Sequence, residues 1–168
     1  MRVITYTSTV CSTAIKSDCG LYRFALKRVW DDNRPIGAFL CANPSKADHL
    51  LNDATVFKCG NLAVNWEWGG FFVLNLFPNY STDPDAVVRS QAADIVNLDH
   101  VQRILLEASL VVIACGNGHG QRLEELLSGV PKSKLYCLRR NKGGGFLHPS
   151  RITPEDYARP VPACATQA

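Results

Sequence analysis

Short apolar runs alternate with amphipathic stretches along most of the chain. Four runs, at 36–42, 71–77, 110–115 and 134–138, have the length and composition of strands buried inside a sheet. Residues 21–30 alternate between apolar and polar positions, which predicts an edge strand. Each of the four buried runs is followed by a polar residue, a proline or a glycine, so we expect each strand to lead into a loop.

Three helices are predicted between the strands. The first covers residues 53–66, and Asp53 at its start is a residue type typical of a helix N-cap. The longest covers 86–109 with a break near Asn97, and a short third helix covers 121–127. Strands that alternate with helices predict an α/β fold. We expect a three-layer α/β/α sandwich with a mainly parallel central sheet of about four to five strands.

The length of 168 residues is that of one domain. Residues 1–20 are rich in Thr and Ser without a clear period and are interpreted as an N-terminal extension. Residues 21–152 hold all the predicted strands and helices and form a single α/β domain. Three prolines follow in 153–168, which predicts a loosely ordered C-terminal tail.

Charge and cysteine content narrow the functional classes only slightly. The net charge is +3, which permits contact with phosphates without arguing for it. A basic cluster within 132–142 is interpreted as a solvated strand edge and loop. The seven cysteines form no CxxC pair, so we expect free thiols in a reducing cytoplasm and neither a zinc site nor a cofactor. No apolar run approaches the ~20 residues of a membrane span.

Polar residues collect where the predicted parallel strands end. They are Asn43 and Ser45, Asn75, the segment Gly116, Asn117, Gly118 and His119, and His148. In open α/β sheets the loops after the strands share one edge, where ligands bind. We therefore expect a polar pocket at that edge.

Asn75 and His148 each allow two interpretations. The side-chain amide of an Asn inside a buried strand needs hydrogen-bond partners. These are either backbone groups of neighbouring loops or the paired donor and acceptor of a ligand. His148, before a proline, is either an exposed loop residue without a role or a hydrogen-bond donor and general acid–base group.

The glycine-rich segment 116–120 could cradle a phosphate, although it matches neither GxGxxG nor a Walker A motif. Asp48, Asp53 and Asp83 are candidate carboxylates, for which caps and turns are the more common roles.

Several stretches together resemble the domain of unknown function 1643 family, found in bacteria and phages. They are CANPSKAD, NDATVFKC, WGGFFVLNLFPNYSTDP, ADIVNLDHVQRIL, LVVIACGNGHG and the closing HPSR. The resemblance covers roughly 21–152. The chain departs from the family pattern at Cys115, where Trp is usual, and at Lys46, where Thr is common. This resemblance brings no established activity.

The order of three motifs is also similar to the uracil-DNA glycosylase superfamily. These motifs are Asn43-Pro44, Asn75 in VLNLF, and His148-Pro149-Ser150. The resemblance implies that Asn43 positions the attacking water, that Asn75 reads the base edge, and that His148 stabilises the departing base.

Further roles follow from the same resemblance. Phe57 is the candidate for stacking on the base, and Ser45 is a further base-binding candidate. Ser150 joins the 116–119 segment as a candidate for phosphate binding. Because the amide of Asn43 takes no proton at neutral pH, Asp53 or Asp48 is the expected base.

The first hypothesis is therefore a DNA glycosylase that hydrolyses the N-glycosidic bond of a uracil-like or modified base, without a metal. The second is a catalytically inactive module that binds nucleic acid or a nucleotide. The third is an enzyme that acts on a free nucleoside or nucleotide, with phosphate at 116–120. All three predict a nucleic acid or nucleotide as partner.

Overall fold

The structure is a computed structural model that describes residues 1–80 and 90–163. Its strands are β1 (Cys11–Lys16), β2 (Arg23–Val29), β3 (Ile36–Cys41), β4 (Gly70–Asn75), β5 (Val111–Ile113), β6 (Leu135–Cys137) and β7 (Val161–Pro162). Its helices are α1 (Ala54–Asn65), α2 (Gln91–Glu107) and α3 (Gly120–Leu126). Short 3₁₀ turns occur at Lys132–Lys134, Pro149–Arg151 and Pro154–Tyr157.

The seven strands form one mixed sheet in the order β1-β2-β4-β3-β5-β6-β7. The central strands β4, β3, β5 and β6 run parallel. Antiparallel pairs join β1 to β2, β2 to β4, and β6 to β7. The α/β prediction is confirmed in this coarser form, since residues 1–80 and 90–163 contain a seven-stranded mixed sheet and three α-helices.

The expected strand number and direction need correction. β1 was not predicted because its residues are half-exposed and polar, with no apolar run to mark them. It pairs with β2, so residues 21–30 hold an inner strand and not an edge strand. β7 extends the sheet on the other side. The sheet therefore continues beyond residues 21–152 in both directions.

Two apolar clusters lie against the sheet, and β3 contributes to both. Ala38 and Leu40 belong to the cluster that contains residues of α2 and α3. Phe39 and Cys41 belong to the cluster that contains α1 and the buried pair Trp66 and Trp68. Successive strand residues point to opposite faces, so the two clusters take alternate residues of β3.

The helices begin and end for identifiable reasons. The Oδ1 atom of Asp53 accepts the N–H of Val56 at 2.9 Å, which confirms Asp53 as the N-cap of α1. The predicted break of α2 at Asn97 is wrong. The Asn97 side chain is buried and donates to the carbonyls of Asn75 and Leu76, so it does not compete with the helix backbone.

Most of the basic residues between 132 and 142 have protein partners. Lys134 donates to the carbonyl of Leu106 at 2.7 Å. Arg139 pairs with Asp156 at 2.9 Å, and Arg140 donates to the carbonyl of Ala163. The bonds of Arg139 and Arg140 hold the 3₁₀ turn at Pro154–Tyr157 and the end of β7 beside β6. These basic side chains therefore do not form a free basic patch.

Six cysteines among the described residues are free thiols, four of them buried as small apolar side chains. No group of His, Cys, Asp and Glu within 1–80 and 90–163 has the arrangement of a metal site. A helix with the length and apolar character of a membrane span does not occur in the described parts of the chain.

Candidate functional site

The carboxyl ends of the parallel strands meet at one edge of the sheet. Cys41 at the end of β3 lies beside Asn75 at the end of β4, and Ile113 of β5 lies beside Cys137 of β6. The loops that follow these strands therefore lie side by side, as the alternation of strands and helices predicted.

A pocket of about 350 Å³ opens between the loops that follow β5 and β6. Its lining includes Cys115, Gly116, Asn117, Asn141, His148 and Arg151. We refer to it as the His148 pocket. It brings together four of the predicted site residues, which are Gly116, Asn117, His148 and Ser150.

The imidazole of His148 is held in one orientation by Ser150. The backbone N–H of Ser150 donates to Nδ1 at 3.2 Å, and the Ser150 hydroxyl lies 2.8 Å from the same atom. An atom that accepts an N–H bond carries no proton of its own, so the proton of the neutral ring lies on Nε2. His148 thus has Nε2–H as its hydrogen-bond donor.

Neighbouring groups favour this neutral form. Burial lowers the pKa of His148, and the positive charges of Arg151 and Lys58 lower it further. The carboxylate of Asp53 acts in the opposite direction and raises the pKa. Lys58 is fixed close by, since its Nζ donates to the carbonyl of Ser150 at 2.7 Å.

The two candidate carboxylates near the site differ in availability. Asp48 accepts the N–H groups of Leu50 and Leu51, both at 2.9 Å. These bonds hold the pKa of Asp48 at about 2, so it is a weak base. Asp53 uses Oδ1 for the α1 cap, and its charge acts on both His148 and Arg23. Asp53 is therefore the carboxylate whose charge acts on His148, and it lies outside the lining of the His148 pocket.

A wall formed by residues 115–118 and 141–146 borders the His148 pocket. Gly116 and Phe146 exchange two backbone hydrogen bonds at 3.0 Å, and Asn141 donates to the Oδ1 atom of Asn117 at 3.0 Å. A Cβ on Gly145 would lie 2.2 Å from that Oδ1 atom, so glycine is required there. Because Oδ1 of Asn117 is used in this bond, its amide nitrogen is the group left for a ligand.

Asn75 lies beneath this edge and is fixed by a buried arginine. Both Asn75 and Arg23 are only 1% exposed. Arg23 donates from Nη2 to the Oδ1 atom of Asn75 at 3.1 Å, and arginine cannot accept, so the orientation of the amide is settled. The Nδ2 atom of Asn75 has no hydrogen-bond partner in the described structure. The amide nitrogen of Asn75, with its two N–H donors, is thus buried and unpartnered among the described residues, outside the lining of the His148 pocket.

Two arginines of β2 hold the loop that carries Asn43 and Asp53. Arg23 donates to the carbonyl of Ala47 at 2.7 Å, and Arg28 donates to the carbonyl of Asp48. Sequence reasoning missed both arginines, because charged residues in a strand normally face water. The loop carbonyls that they hold lie 24 and 20 residues further along the chain, which no charge pattern reveals.

The remaining predicted site residues are distributed around the edge. Asn43 follows β3 and is half-buried, outside the lining of the His148 pocket. The carbonyl of Ser45 lies 3.5 Å from Nη1 of Arg23. Phe57 is 62% exposed on α1 and lines a separate groove near β1. Gly118 and His119 line a second pocket beyond the wall. Asp83 lies outside the described residues.

Comparisons with known proteins assign the chain to a family. A family described as "Protein of unknown function (DUF1643)" matches residues 23–150, well over half of the chain. The chain therefore belongs to the DUF1643 family. No curated protein matches it.

Among solved structures, the hetero-hexameric glutamate dehydrogenase of Thermus thermophilus in its leucine-bound form is similar at 10% identity and a TM-score of 0.36. The match covers 77% of this chain and 33% of that one. At this score the similarity carries no argument about activity.

Proposed function

We propose that this protein recognises a nucleobase at the His148 pocket and hydrolyses the N-glycosidic bond that joins a uracil-like or modified base to DNA. The proposal includes the layered fold of the uracil-DNA glycosylase superfamily, inferred from the order of three motifs. The observation that carries the proposal is the His148 imidazole, whose Nδ1 accepts from Ser150 and whose proton therefore lies on Nε2.

In the proposed reaction a water oxygen forms a bond to the anomeric carbon as the bond from that carbon to the base nitrogen breaks. The electron pair of the broken bond leaves with the base, and the resulting anion accepts the Nε2–H of His148. The carboxylate of Asp53 takes the proton of the water. Asn43 orients that water without taking its proton.

Asn75 contributes a single contact in this scheme. Its Oδ1 atom is used by Arg23, so its Nδ2 group donates to a carbonyl oxygen of the base. Ser150 acts through His148 as a positioning residue, because its backbone N–H fixes the ring. The amide nitrogen of Asn117, a residue of the pocket lining, is the donor assigned to a phosphate at the rim of the pocket.

A binding module without hydrolysis is the second candidate, and two residues favour it. Position 43 holds an amide in place of a carboxylate, and Asp53 already serves as a helix cap. A protein with this arrangement would retain the base pocket and the donors that surround it. It would bind nucleic acid with an affinity that falls steeply with salt.

The test uses labelled single- and double-stranded oligonucleotides that carry uracil, hydroxymethyluracil, hypoxanthine or a bulkier base. Alkaline cleavage reports abasic sites. We expect cleavage of at least one substrate, reduced about a hundredfold or more in His148→Ala and also reduced in Asn75→Ala. His49→Ala, which removes an exposed imidazole, is the matched control and keeps the activity.

Two other results would change the assignment. Salt-sensitive binding without cleavage of any base would replace the glycosylase by the binding module. Binding of a free nucleotide without preference for an oligonucleotide would favour an enzyme of nucleosides or nucleotides.

A further inference from the structure

A second pocket borders the wall described above. It also has a volume of about 350 Å³, and Cys115 and Gly116 line both pockets. We refer to it as the Gly120 pocket. Its remaining lining includes Leu123, Arg140 and Phe146.

The glycine at 120 has no structural explanation within the fold. Gly116, Gly118 and Gly144, which line the same pocket, have φ near +80°, and this conformation favours glycine. Gly120 does not have a positive φ, and a Cβ added there would meet no atom within 4 Å. Neither backbone conformation nor packing therefore requires glycine at this position. What the missing side chain does provide is open space in the pocket.

The chemistry of the Gly120 pocket suits a flat aromatic ring. The guanidinium carbon of Arg140 lies 4.2 Å from the centre of the Phe146 ring. Hydrogen bonds to the carbonyls of Gly144 and Ala163 hold the guanidinium group in place. Nucleobases stack on such arginine planes, so the face of the guanidinium opposite the buried Phe146 ring suits a base, and Leu123 adds an apolar contact.

We propose that the Gly120 pocket binds the base of the nucleotide adjacent to the one whose base enters the His148 pocket. This inference rests on the proposed function, because it assigns the second pocket to the same nucleic acid strand. Two pockets of equal volume on a shared wall suit two consecutive bases. Asn117 lies in that wall, with its amide nitrogen available to the phosphate that links the two nucleotides.

The test compares the affinities of dinucleotides that contain uracil and thymine, in both orders, with those of the same dinucleotides lacking the thymine base. The sugars of the dinucleotides are fluorinated, which makes their glycosidic bonds resistant to hydrolysis. Deoxyuridine monophosphate is the third probe. We expect calorimetry to show about tenfold tighter binding when the thymine base is present.

Gly120→Leu fills the pocket and should abolish this difference while leaving the affinity for deoxyuridine monophosphate unchanged. Gln121→Leu places the same side chain at the next, exposed position, outside the pocket lining, and should keep the difference. Thermal melting checks that both variants fold.

Equal affinities with and without the thymine base in the unmodified protein would overturn the inference, as would a difference that survives in Gly120→Leu. If deoxyuridine monophosphate still binds in those cases, only the inference fails. If none of the probes binds, the proposed function fails with it.

Discussion

At the scale of the residue, His148 is the group whose protonation decides what the site can do. A neutral imidazole with its proton on Nε2 donates a hydrogen bond to an anion without carrying a charge itself. Burial, Arg151 and Lys58 lower its pKa, and Asp53 opposes them. The ring therefore stays neutral to a lower pH than an ordinary histidine, whose pKa is about 6.5.

The charges around His148 predict the direction of two pKa changes. Asp53→Asn removes the group that raises the pKa of His148, so that pKa should fall further. Lys58→Met removes a positive charge and should raise it. An NMR titration of the ring proton in each variant measures both shifts. Opposite shifts, or none, would contradict the placement of these charges around the ring.

Arg23 predicts a loss of stability on a conservative change. Arg23→Lys keeps the charge but not the planar fork that reaches both Ala47 and Asn75. At least one buried acceptor is then left without a partner, at a cost of about 1–3 kcal/mol in the free energy of unfolding. Urea unfolding measures the loss. Arg34→Lys changes an exposed pair with Asp31 and should cost less than about 0.5 kcal/mol.

At the scale of the element, Asp53 combines two roles that substitution can separate. Asp53→Asn keeps a side chain that caps helices well, whereas Asp53→Ala removes the cap and should cost about 0.5–2 kcal/mol in the free energy of unfolding. Only the carboxylate can take a proton from water, so Asp53→Asn should remain stable and lose base release. Thermal melting and the abasic-site assay measure the two effects. Full activity in Asp53→Asn would remove this residue from the mechanism.

Some elements could be predicted from the sequence and others could not. β3 and β4 are continuous apolar runs buried on both faces, and the Asp53 cap begins α1, so local pattern was sufficient for them. β1 is polar and half-exposed, and only its pairing with β2 makes it a strand. The break predicted at Asn97 is wrong because the side-chain partners of Asn97 are the last residue of β4 and the residue after it, 22 and 21 residues away.

At the scale of the whole molecule, β1 is part of the fold although the sequence assigned it to an extension. Residues 1–10 are exposed, whereas Ala14 and Ile15 of β1 pack against the two apolar clusters. Removal of 1–10 should leave the melting temperature unchanged. Removal of 1–17 should lower the free energy of unfolding by about 1–3 kcal/mol, through lost apolar burial and an unpaired β2 edge. Equal stability of the two truncations would show that β1 contributes nothing.

The edge of the sheet where loops collect was predictable from the alternation of strands and helices. The division of that edge into separate pockets was not predictable, because it depends on contacts between loops that are distant in sequence. Asn141 fixes Asn117 across 24 residues, and Lys58 reaches Ser150 across 92. His148 and Asn117 thus line one pocket, whereas Phe57 lines another groove.

The most direct test of the central claim is an NMR titration of the protein with a single-stranded oligonucleotide that carries uracil. The account predicts that the His148 ring signals and the Asn117 side-chain amide shift together, while the ring of the exposed His49 does not. This result would locate nucleobase recognition in the His148 pocket, whether or not the base is released. Binding that leaves the signals of His148 and Asn117 unchanged would contradict the account.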